Sequence, residues 1–484
     1  MIGCGVPALR TSRLAHLVGN LAHDRPPLYA ALAGRLQLLV ADGRLPVGAR
    51  LPPERDLAEA LHLSRSTVTA AYRRLREDGW ADARQGAGTW TRLPAGPDLG
   101  AWVPSPAEPG VIDLAHAAPS APPEVGAAYA SALAALPRLL SGHGYAPHGL
   151  PELRARIADR FTARGLRTTP EQVLLTAGAM HAVSLAVSVM VRPGDSVLVE
   201  SPSYPNALDA LVGRGATLLP VPVSAEEPAS FPGALHRATR QGRPRAAYLM
   251  PDFSNPTGVL LDEDQRRRVA VSLEQHGVVA LVDETLVELG LDTAPASPFA
   301  AHTRPGLAVT VGSMSKAFWG GLRVGWLRAD PDVVRRCARA LSQTQLALPV
   351  VDQLAACALL DTADDLLPER RRQLRERRDA LVAALHHDLP DWRVPVPAGG
   401  LVLWCGLPVG SSSRLAARAA EHGLRLAPGP RFAVGTTHDD RLRLPFTAPV
   451  EDLQAAVGRL VELAGAELAP AASPAAEDAV ELVV

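Results

Sequence analysis

Two different alternations of apolar and polar residues run along this 484-residue chain. From Pro26 the repeat is helical. Leu32, Leu36 and Leu39 share one face of a first predicted helix, and the turn GRLPVGARLPP follows. Leu57 and Leu61 serve a second helix, and Ser64 caps a third whose apolar face is Val68, Tyr72 and Leu75. The outer face of that third helix carries Arg65, Ser66, Thr69 and Arg73. Two short helices meeting across the His62 to Ser64 turn predict a helix-turn-helix. The next segment, WADARQGAGTWTR, gives two short strands joined at Gly86 to Gly88, a wing.

From about residue 111 to 465 the pattern changes to short apolar runs separated by amphipathic helical stretches. The runs are VLLTAG (173–178), SVLVES (196–201), AAYLMP (246–251), VVALVDE (278–284) and LAVTVGS (307–313). Apolar strands alternating with helices predict an α/β fold with a mostly parallel sheet covered on both faces. Between the two regions, residues 93–110 are dense in Pro and Gly without periodicity and read as an extended linker. The divisions expected are an N-terminal extension (1–25), a helical head (26–92), the linker (93–110), the α/β body (111–465) and a tail (466–484). The tail's Ala, Pro and acidic content predicts disorder.

Charge sharpens this division. The chain's net charge is −1, yet residues 1–92 hold 13 Arg against 8 Asp plus Glu, a local +5 that leaves −6 for the remainder. A basic head on an acidic body points to a polyanionic partner at one end. The four cysteines, Cys4, Cys337, Cys357 and Cys405, lack the pairing of a disulfide framework or a zinc site, so no metal is expected. The sequence shows no apolar run long enough to span a bilayer and no secretory pattern, and a cytoplasmic location is expected.

Lys316 is the only lysine, all other members of the 49 Lys plus Arg being arginine. A guanidinium cannot lose its proton at any working pH and cannot form an imine, so a chain that has replaced lysine elsewhere keeps it where a free amine is needed. Lys316 lies in SMSKAFWGGLRVG, where Ser313, Ser315 and Arg323 offer hydroxyls and a cation for a phosphate beside that amine. Pyridoxal 5'-phosphate on a lysine requires this combination. Codon bias that left one lysine at random is the bland alternative.

Four other segments fit the same chemistry. TAGAMHA (176–182) sets a glycine turn, Gly178 and Ala179, at a helix start, where backbone amides favour an anion. Tyr204 in SPSYPN offers an aromatic face, and Asn255 in SNPTG offers an amide for a phenolic oxygen; a packing tyrosine and an ordinary Asn-Pro turn would look alike. Asp283 ends a predicted strand at the mouth of the sheet, as a ring-nitrogen partner or as a helix cap. Arg443 in RLRLPF is suited to a bidentate carboxylate clamp or to a surface.

The head resembles the GntR-type winged-helix domain of bacterial transcription regulators, through its PLY start, GRLPVGARLPPERDLAEAL, SRSTVTAAYRRL and RQGAGTW. That resemblance implies that Arg55, Ser64, Arg65, Ser66 and Thr67 approach double-stranded operator DNA, with Arg84, Gly86 and Gly88 at the wing. In the body, the order of glycine turn, tyrosine, SNPTG, strand-end Asp, SxSK with a following Arg, and a late Arg resembles the fold-type I aminotransferases. GYAPHGLPELRARIADRF matches that family's substrate-side segment through Tyr145 and Gly149. The resemblance implies a Schiff base on Lys316, Asp283 on the ring nitrogen, Asn255 at the ring hydroxyl and Tyr204 stacked on the ring. It also implies a phosphate held by Gly178, Ala179, Ser313, Ser315 and Arg323, and an effector carboxylate taken by Arg443 with Tyr145 nearby. A small C-terminal α/β subdomain is implied as well.

A GntR-like head joined through a Pro-rich linker to an aminotransferase-like body is similar to the MocR (PdxR, GabR) regulators. This implies a homodimeric, DNA-binding transcription regulator that senses pyridoxal phosphate, or an amine or amino acid exchanging with it through an aldimine on Lys316. Three positions depart from the usual pattern: Thr285 where a tyrosine is expected, His181 for a common Gln, and Val402 for a common His. A working aminotransferase with an accessory head and a DNA-binding scaffold with a non-functional cofactor site are the other two readings.

Overall fold

The computed structural model describes residues 11–19, 21, 27–41, 45, 49–84, 88–91, 108–408, 411–434 and 437–468. Most of the expected linker and tail, and Gly86 at the wing tip, lie outside the described residues.

Among the described residues the head is built on α1 (Thr11–Val18), α2 (Leu28–Ala41), α3 (Glu54–Leu61) and α4 (Arg65–Glu77), followed by the antiparallel hairpin of β1 (Ala81–Arg84) and β2 (Gly88–Thr91). Leu32, Leu36, Leu57, Val68, Tyr72 and Leu75 form one apolar cluster, as their spacing predicts. Each fully buried Leu contributes roughly 1.5–3 kcal/mol from removal of its surface from water. The same cluster takes in Leu14, Leu17 and Val18 of α1, so the packed head begins well before Pro26. The missed signal was the short apolar spacing of TSRLAHLV, too brief to stand out without a partner. Tyr72 also donates its hydroxyl to the Pro52 carbonyl at 3.0 Å, tying α4 to the turn before α3.

The body's principal sheet has seven strands in the order β4 (Val173–Thr176), β10 (Gly325–Arg328), β9 (Ala308–Ser313), β8 (Val279–Asp283), β7 (Ala246–Leu249), β5 (Ser196–Ser201) and β6 (Thr217–Pro222). Alternate residues enter separate cores: Val197, Val199, Tyr248 and Leu281 lie in one cluster, Leu198, Leu249, Ala280 and Val282 in another. That is the two-sided burial of a helix-covered sheet. Its pairings are parallel except at β10, which runs antiparallel to both β4 and β9. The sequence reading named the five apolar runs that became β4, β5, β7, β8 and β9 and passed over β6 and β10. β6 is partly exposed and interrupted by Pro220 and Pro222, and GWLR in β10 is too short to read alone.

A second sheet of four strands, β11 (Val402–Gly406), β13 (Arg441–Pro445), β12 (Leu424–Pro428) and β3 (Ile112–Leu114), forms the smaller part of the body. β3, the first strand after the linker region, pairs in parallel with β12. The last described helix runs over Val450–Leu468. No helix among the described residues is long and apolar enough to cross a membrane.

Candidate functional site

The strands β4, β5, β7, β8 and β9 all point their C-terminal ends toward one cavity of about 460 Å³, lined by Lys316, Asp283, Tyr204, Asn255, Arg323 and Arg443 among others. Tyr204, Asn255, Lys316 and Arg323 arrive on connections that follow a strand and Asp283 ends one, the usual position for a ligand in an open α/β sheet, whereas Arg443 comes from within β13 of the second sheet.

Lys316 lies in the connection between β9 and β10, whose base is closed by the pairing of Ser313 with Gly325. Its Nζ donates to the Ala117 carbonyl at 2.7 Å. Burial and the Arg443 charge push its pKa down to about 8, with Asp283 opposing. A neutral amine, the form that attacks an aldehyde, is therefore accessible near physiological pH.

Asp283, at the end of β8, is 7% exposed. Its Oδ1 accepts from the Thr285 N–H at 3.0 Å and the Thr285 hydroxyl at 2.7 Å, and its Oδ2 accepts from the Tyr248 hydroxyl at 2.9 Å. Burial pushes its pKa up, against those bonds and the Lys316 charge. The carboxylate is thus positioned by both β7 and β8. Thr285, where a tyrosine was expected, directs its hydroxyl to Asp283, and the neighbouring apolar Leu286 also lines the wall. Tyr248 escaped the sequence reading; its signal was a polar-tipped ring within the otherwise apolar AAYL.

The phosphate side is shaped by close approach. Gly178 has φ +87°, and a β-carbon there would lie 2.8 Å from Nη2 of Arg323. Arg323 itself has φ +52° and donates to the Ala177 carbonyl at 2.7 Å. A β-carbon on Gly325 would lie 2.5 Å from the Gly178 carbonyl carbon. The helix Ala179–Met190 starts here, so its first N–H groups face the same space as the Ser313 and Ser315 hydroxyls, which are 2.8 Å apart. The Ala177 N–H donates to Nδ1 of His181 at 3.2 Å, leaving that nitrogen unprotonated. Burial and Arg323 lower the His181 pKa accordingly.

At the opposite end Arg443 is 2% exposed, with its guanidinium carbon 4.8 Å from the centre of the Phe432 ring. It donates to Oδ1 of Asn255 at 3.2 Å and to the Ala115 carbonyl. Burial lowers its pKa to about 10, with Tyr204 opposing. Tyr204 accepts from Asn206 at 3.3 Å, and burial with the Asp283 charge raises its phenol to about 12. Val402 lines the wall beside Leu401. The segment after β3 was also missed. Asp113 accepts from the N–H groups of Ala115 and His116 and bonds Nδ1 of His116 at 2.8 Å, while the Ala115 and Ala117 carbonyls reach Arg443 and Lys316. Tyr145 is not among the cavity-lining residues of the chain; it is 57% exposed and stacks on His143 with centroids 5.6 Å apart.

Residues 121–460 match the model of the aminotransferase class I and II family, and residues 28–90 that of the bacterial regulatory proteins of the gntR family. The chain belongs to the class I and II aminotransferase family, with a gntR-family head. It is 28% identical over 409 residues to the uncharacterized HTH-type transcriptional regulator YisV of Bacillus subtilis, covering 78% of this chain and 84% of that one. It is 28% identical over 393 residues to the probable rhizopine catabolism regulatory protein MocR of Rhizobium meliloti, covering 76% and 78%. Among solved structures it is similar to the α-aminoadipate aminotransferase LysN of Thermus thermophilus, which was crystallised with N-(5'-phosphopyridoxyl)-L-leucine. The TM-score is 0.68 at 30% identity, over 75% of this chain and 94% of that one.

Pyridoxal 5'-phosphate is the cofactor of this family fold, and the residues present fit it. The cradle that a β-carbon at Gly178 would fill, the buried Asp283 and the lysine of lowered pKa supply an anion site, a ring-nitrogen partner and an amine in one cavity.

In the head, Ser64 caps α4 by accepting from the Thr67 N–H at 3.1 Å, and its hydroxyl lies 2.8 Å from that of Ser66 and 2.7 Å from that of Thr67. Arg55, Arg65 and Ser66 are exposed around the α3–α4 turn. Arg84 ends β1 opposite Gly88, whose φ is +95° and whose added β-carbon would meet the Arg50 side chain at 3.2 Å.

Proposed function

We propose that this protein is a pyridoxal-phosphate-binding transcription regulator of the MocR type. Its head binds operator DNA through Arg55, Ser64, Arg65, Ser66 and Thr67, with Arg84, Gly86 and Gly88 at the wing. Its body binds the cofactor at Lys316 and responds to that cofactor or to an amine or amino acid. The single observation that carries this reading is the convergence of the chain's one lysine, Asp283 and Arg443 in one cavity of a polypeptide whose other end is a basic winged helix.

In this reading Lys316 holds the cofactor covalently, and Gly178, Ala179, Ser313, Ser315 and Arg323 take its phosphate. Asp283 would accept a hydrogen bond from the protonated ring nitrogen, Asn255 would meet the ring hydroxyl and Tyr204 would cover the ring face. When bound, the cofactor supplies an aldehyde that exchanges amines and an electron-withdrawing ring. Arg443 orients a carboxylate, so an amino acid is held at two points. An effector changes DNA binding only through unequal affinity for two arrangements of the chain. The locale that follows from this reading is the cytoplasm.

The assembly proposed is a homodimer presenting two heads to two half-sites. Leu133, Leu140, Tyr145 and Leu346 are exposed apolar or aromatic side chains that a second copy would cover. The exposed loop position of Tyr145 suits a contact with the ligand of that copy.

The test is borohydride reduction of the cofactor-loaded protein with peptide mass mapping, alongside operator binding with and without cofactor and candidate amines. A pyridoxyl mass on the peptide containing Lys316 and a ligand-dependent change in operator affinity are expected. Absence of label removes the cofactor assignment; label without any ligand-dependent change in DNA binding removes the sensing role. A second reading, a turnover aminotransferase, is favoured by the match of residues 121–460 to the aminotransferase class I and II family. Stopped-flow formation of pyridoxamine phosphate followed by steady turnover would establish it.

A further inference from the structure

Glu200 is a buried carboxylate to which neither the sequence motifs nor the proposed function gives a task. It sits one residue from the end of β5, is 2% exposed, and has both oxygens engaged. Oε1 accepts from the Met250 N–H at 2.7 Å, and Oε2 accepts from the Ser254 hydroxyl at 2.6 Å. Met250 and Ser254 are the two ends of the turn that leaves β7, and Asn255 follows at once. One side chain from the neighbouring strand therefore closes both ends of the turn that delivers Asn255 to the cavity.

The turn needs such a closure. Phe253, inside it, is fully buried with φ +52°, a left-handed conformation that a large aromatic residue adopts only when its surroundings enforce it. From the outer side, Arg266 donates to the Pro251 carbonyl at 3.2 Å and to Asp252 at 2.6 Å. From the inner side, Glu200 makes the corresponding tie. Asn255 in turn accepts from Arg443, so the position of the carboxylate-binding guanidinium depends on this turn.

Glu200 also faces the site electrically. The charged or titratable groups that interact with it are Asp283 of β8 and Tyr248 of β7, and the Tyr248 hydroxyl is itself bonded to Asp283. Burial pushes the Glu200 pKa up to about 7, with the bonds from Ser254 and Met250 opposing and Asp283 adding to the rise. Two carboxylates that share a low-dielectric region disfavour each other's ionisation. The charge on Glu200 thus stabilises positive charge within the cavity and opposes ionisation of Asp283.

We propose that Glu200 is a positioning residue of the cofactor and effector site, fixing Asn255 through Met250 and Ser254. This rests on the cofactor reading above. Absence of cofactor absorbance in the wild-type protein would remove that reading, whereas the tests below compare variants that do load.

The experiment uses the full chain with Glu200→Gln and Ser254→Ala. In the cofactor-free protein, infrared difference spectra across neutral pH are expected to show a titrating carboxylic-acid band that Glu200→Gln abolishes. In the loaded protein, Glu200→Gln removes a negative charge that favours the protonated chromophore. The pH midpoint of its visible absorbance change should fall by at least about half a unit. Ser254→Ala keeps the charge, so the midpoint should move much less while amino-acid affinity weakens about fivefold through the loosened Asn255–Arg443 contact. A wild-type midpoint and wild-type amino-acid affinity in a folded Glu200→Gln protein overturn the proposal. If Glu200→Gln does not fold, unchanged amino-acid affinity in Ser254→Ala overturns it.

Discussion

Gly178 and Arg323 share a space that admits no further atom: a β-carbon on the glycine would stand 2.8 Å from Nη2 of the arginine. The contact joins the glycine turn after β4 to the connection after β9, two segments far apart in sequence. The groups assigned to a phosphate are thereby held as one unit, with the backbone of the helix Ala179–Met190 directly beside them.

Substituting Gly178→Ala sets the new methyl group against Arg323 and forces an alanine to φ +87°. The folded protein should lose about 1–3 kcal/mol. Cofactor affinity should fall by about tenfold or more as Arg323 is displaced. Titration followed by visible absorbance, with thermal melting as the stability control, checks both. Uptake at wild-type concentrations would remove the phosphate role from this turn.

Lys316→Met should stabilise the cofactor-free protein at pH 7, because the folded state then no longer charges a buried amine. The lysine's folded pKa of about 8 lies below its ordinary 10.5, so the unfolded chain binds the proton more tightly. The wild-type protein is therefore penalised below pH 8 and regains stability as pH rises from about 8 to 10.5. The advantage of Lys316→Met, about 1–3 kcal/mol at pH 7, should shrink over that window. Denaturant melts at pH 7, 8.5 and 10 decide the sign; an advantage that grows with pH would contradict the burial argument.

Arg443→Gln removes the bidentate partner proposed for an effector carboxylate. Amino acids should bind about 100-fold more weakly to the loaded protein, while the corresponding amines without the carboxyl should change by less than about threefold. Spectral titration with matched pairs separates these outcomes. Equal losses for both members of a pair would mean that Arg443 acts on the fold or the cofactor.

In the head, Arg65 and Ser64 are expected to separate recognition from stability. Arg65 is exposed on α4, so Arg65→Ala should leave the melting temperature unchanged and weaken operator binding by about tenfold or more. Ser64 accepts the Thr67 N–H as an N-cap, so Ser64→Ala should cost the head about 1 kcal/mol. Fluorescence anisotropy with the upstream region of the gene, beside melting curves, reads both. Undiminished operator affinity in Arg65→Ala would move the recognition surface elsewhere.

What the sequence made legible was whatever depends on residue type and local spacing. Lys316 could be chosen because arginine cannot do its chemistry, and β5, β8 and β9 because buried parallel strands read as unbroken apolar runs. The residues that position those groups were hidden, because their roles come from neighbours distant along the chain. Tyr248 looks like core until β8 brings Asp283 within 2.9 Å of its hydroxyl. Asp113 looks like a turn residue until β13 places Arg443 at the next carbonyl but one. Tyr145 shows the converse: its segment was recognisable, but its side chain lies on an exposed loop, stacked on His143 outside the cavity of its own chain. α1 joined the head core although its eight residues carry too little periodicity to announce a partner.

The antiparallel strand of the seven-stranded sheet has a consequence for the cavity. Because β10 folds straight back on β9, the amine of Lys316 and the guanidinium of Arg323 belong to a single short excursion pinned at Ser313 and Gly325. Their separation is written into one hairpin. Arg443 belongs to β13 of the other sheet and meets them through the segment after β3, whose Ala115 and Ala117 carbonyls accept from Arg443 and Lys316. Substitutions along β13 therefore act on the carboxylate end of the cavity, while the spacing of Lys316 and Arg323 is fixed within their own hairpin.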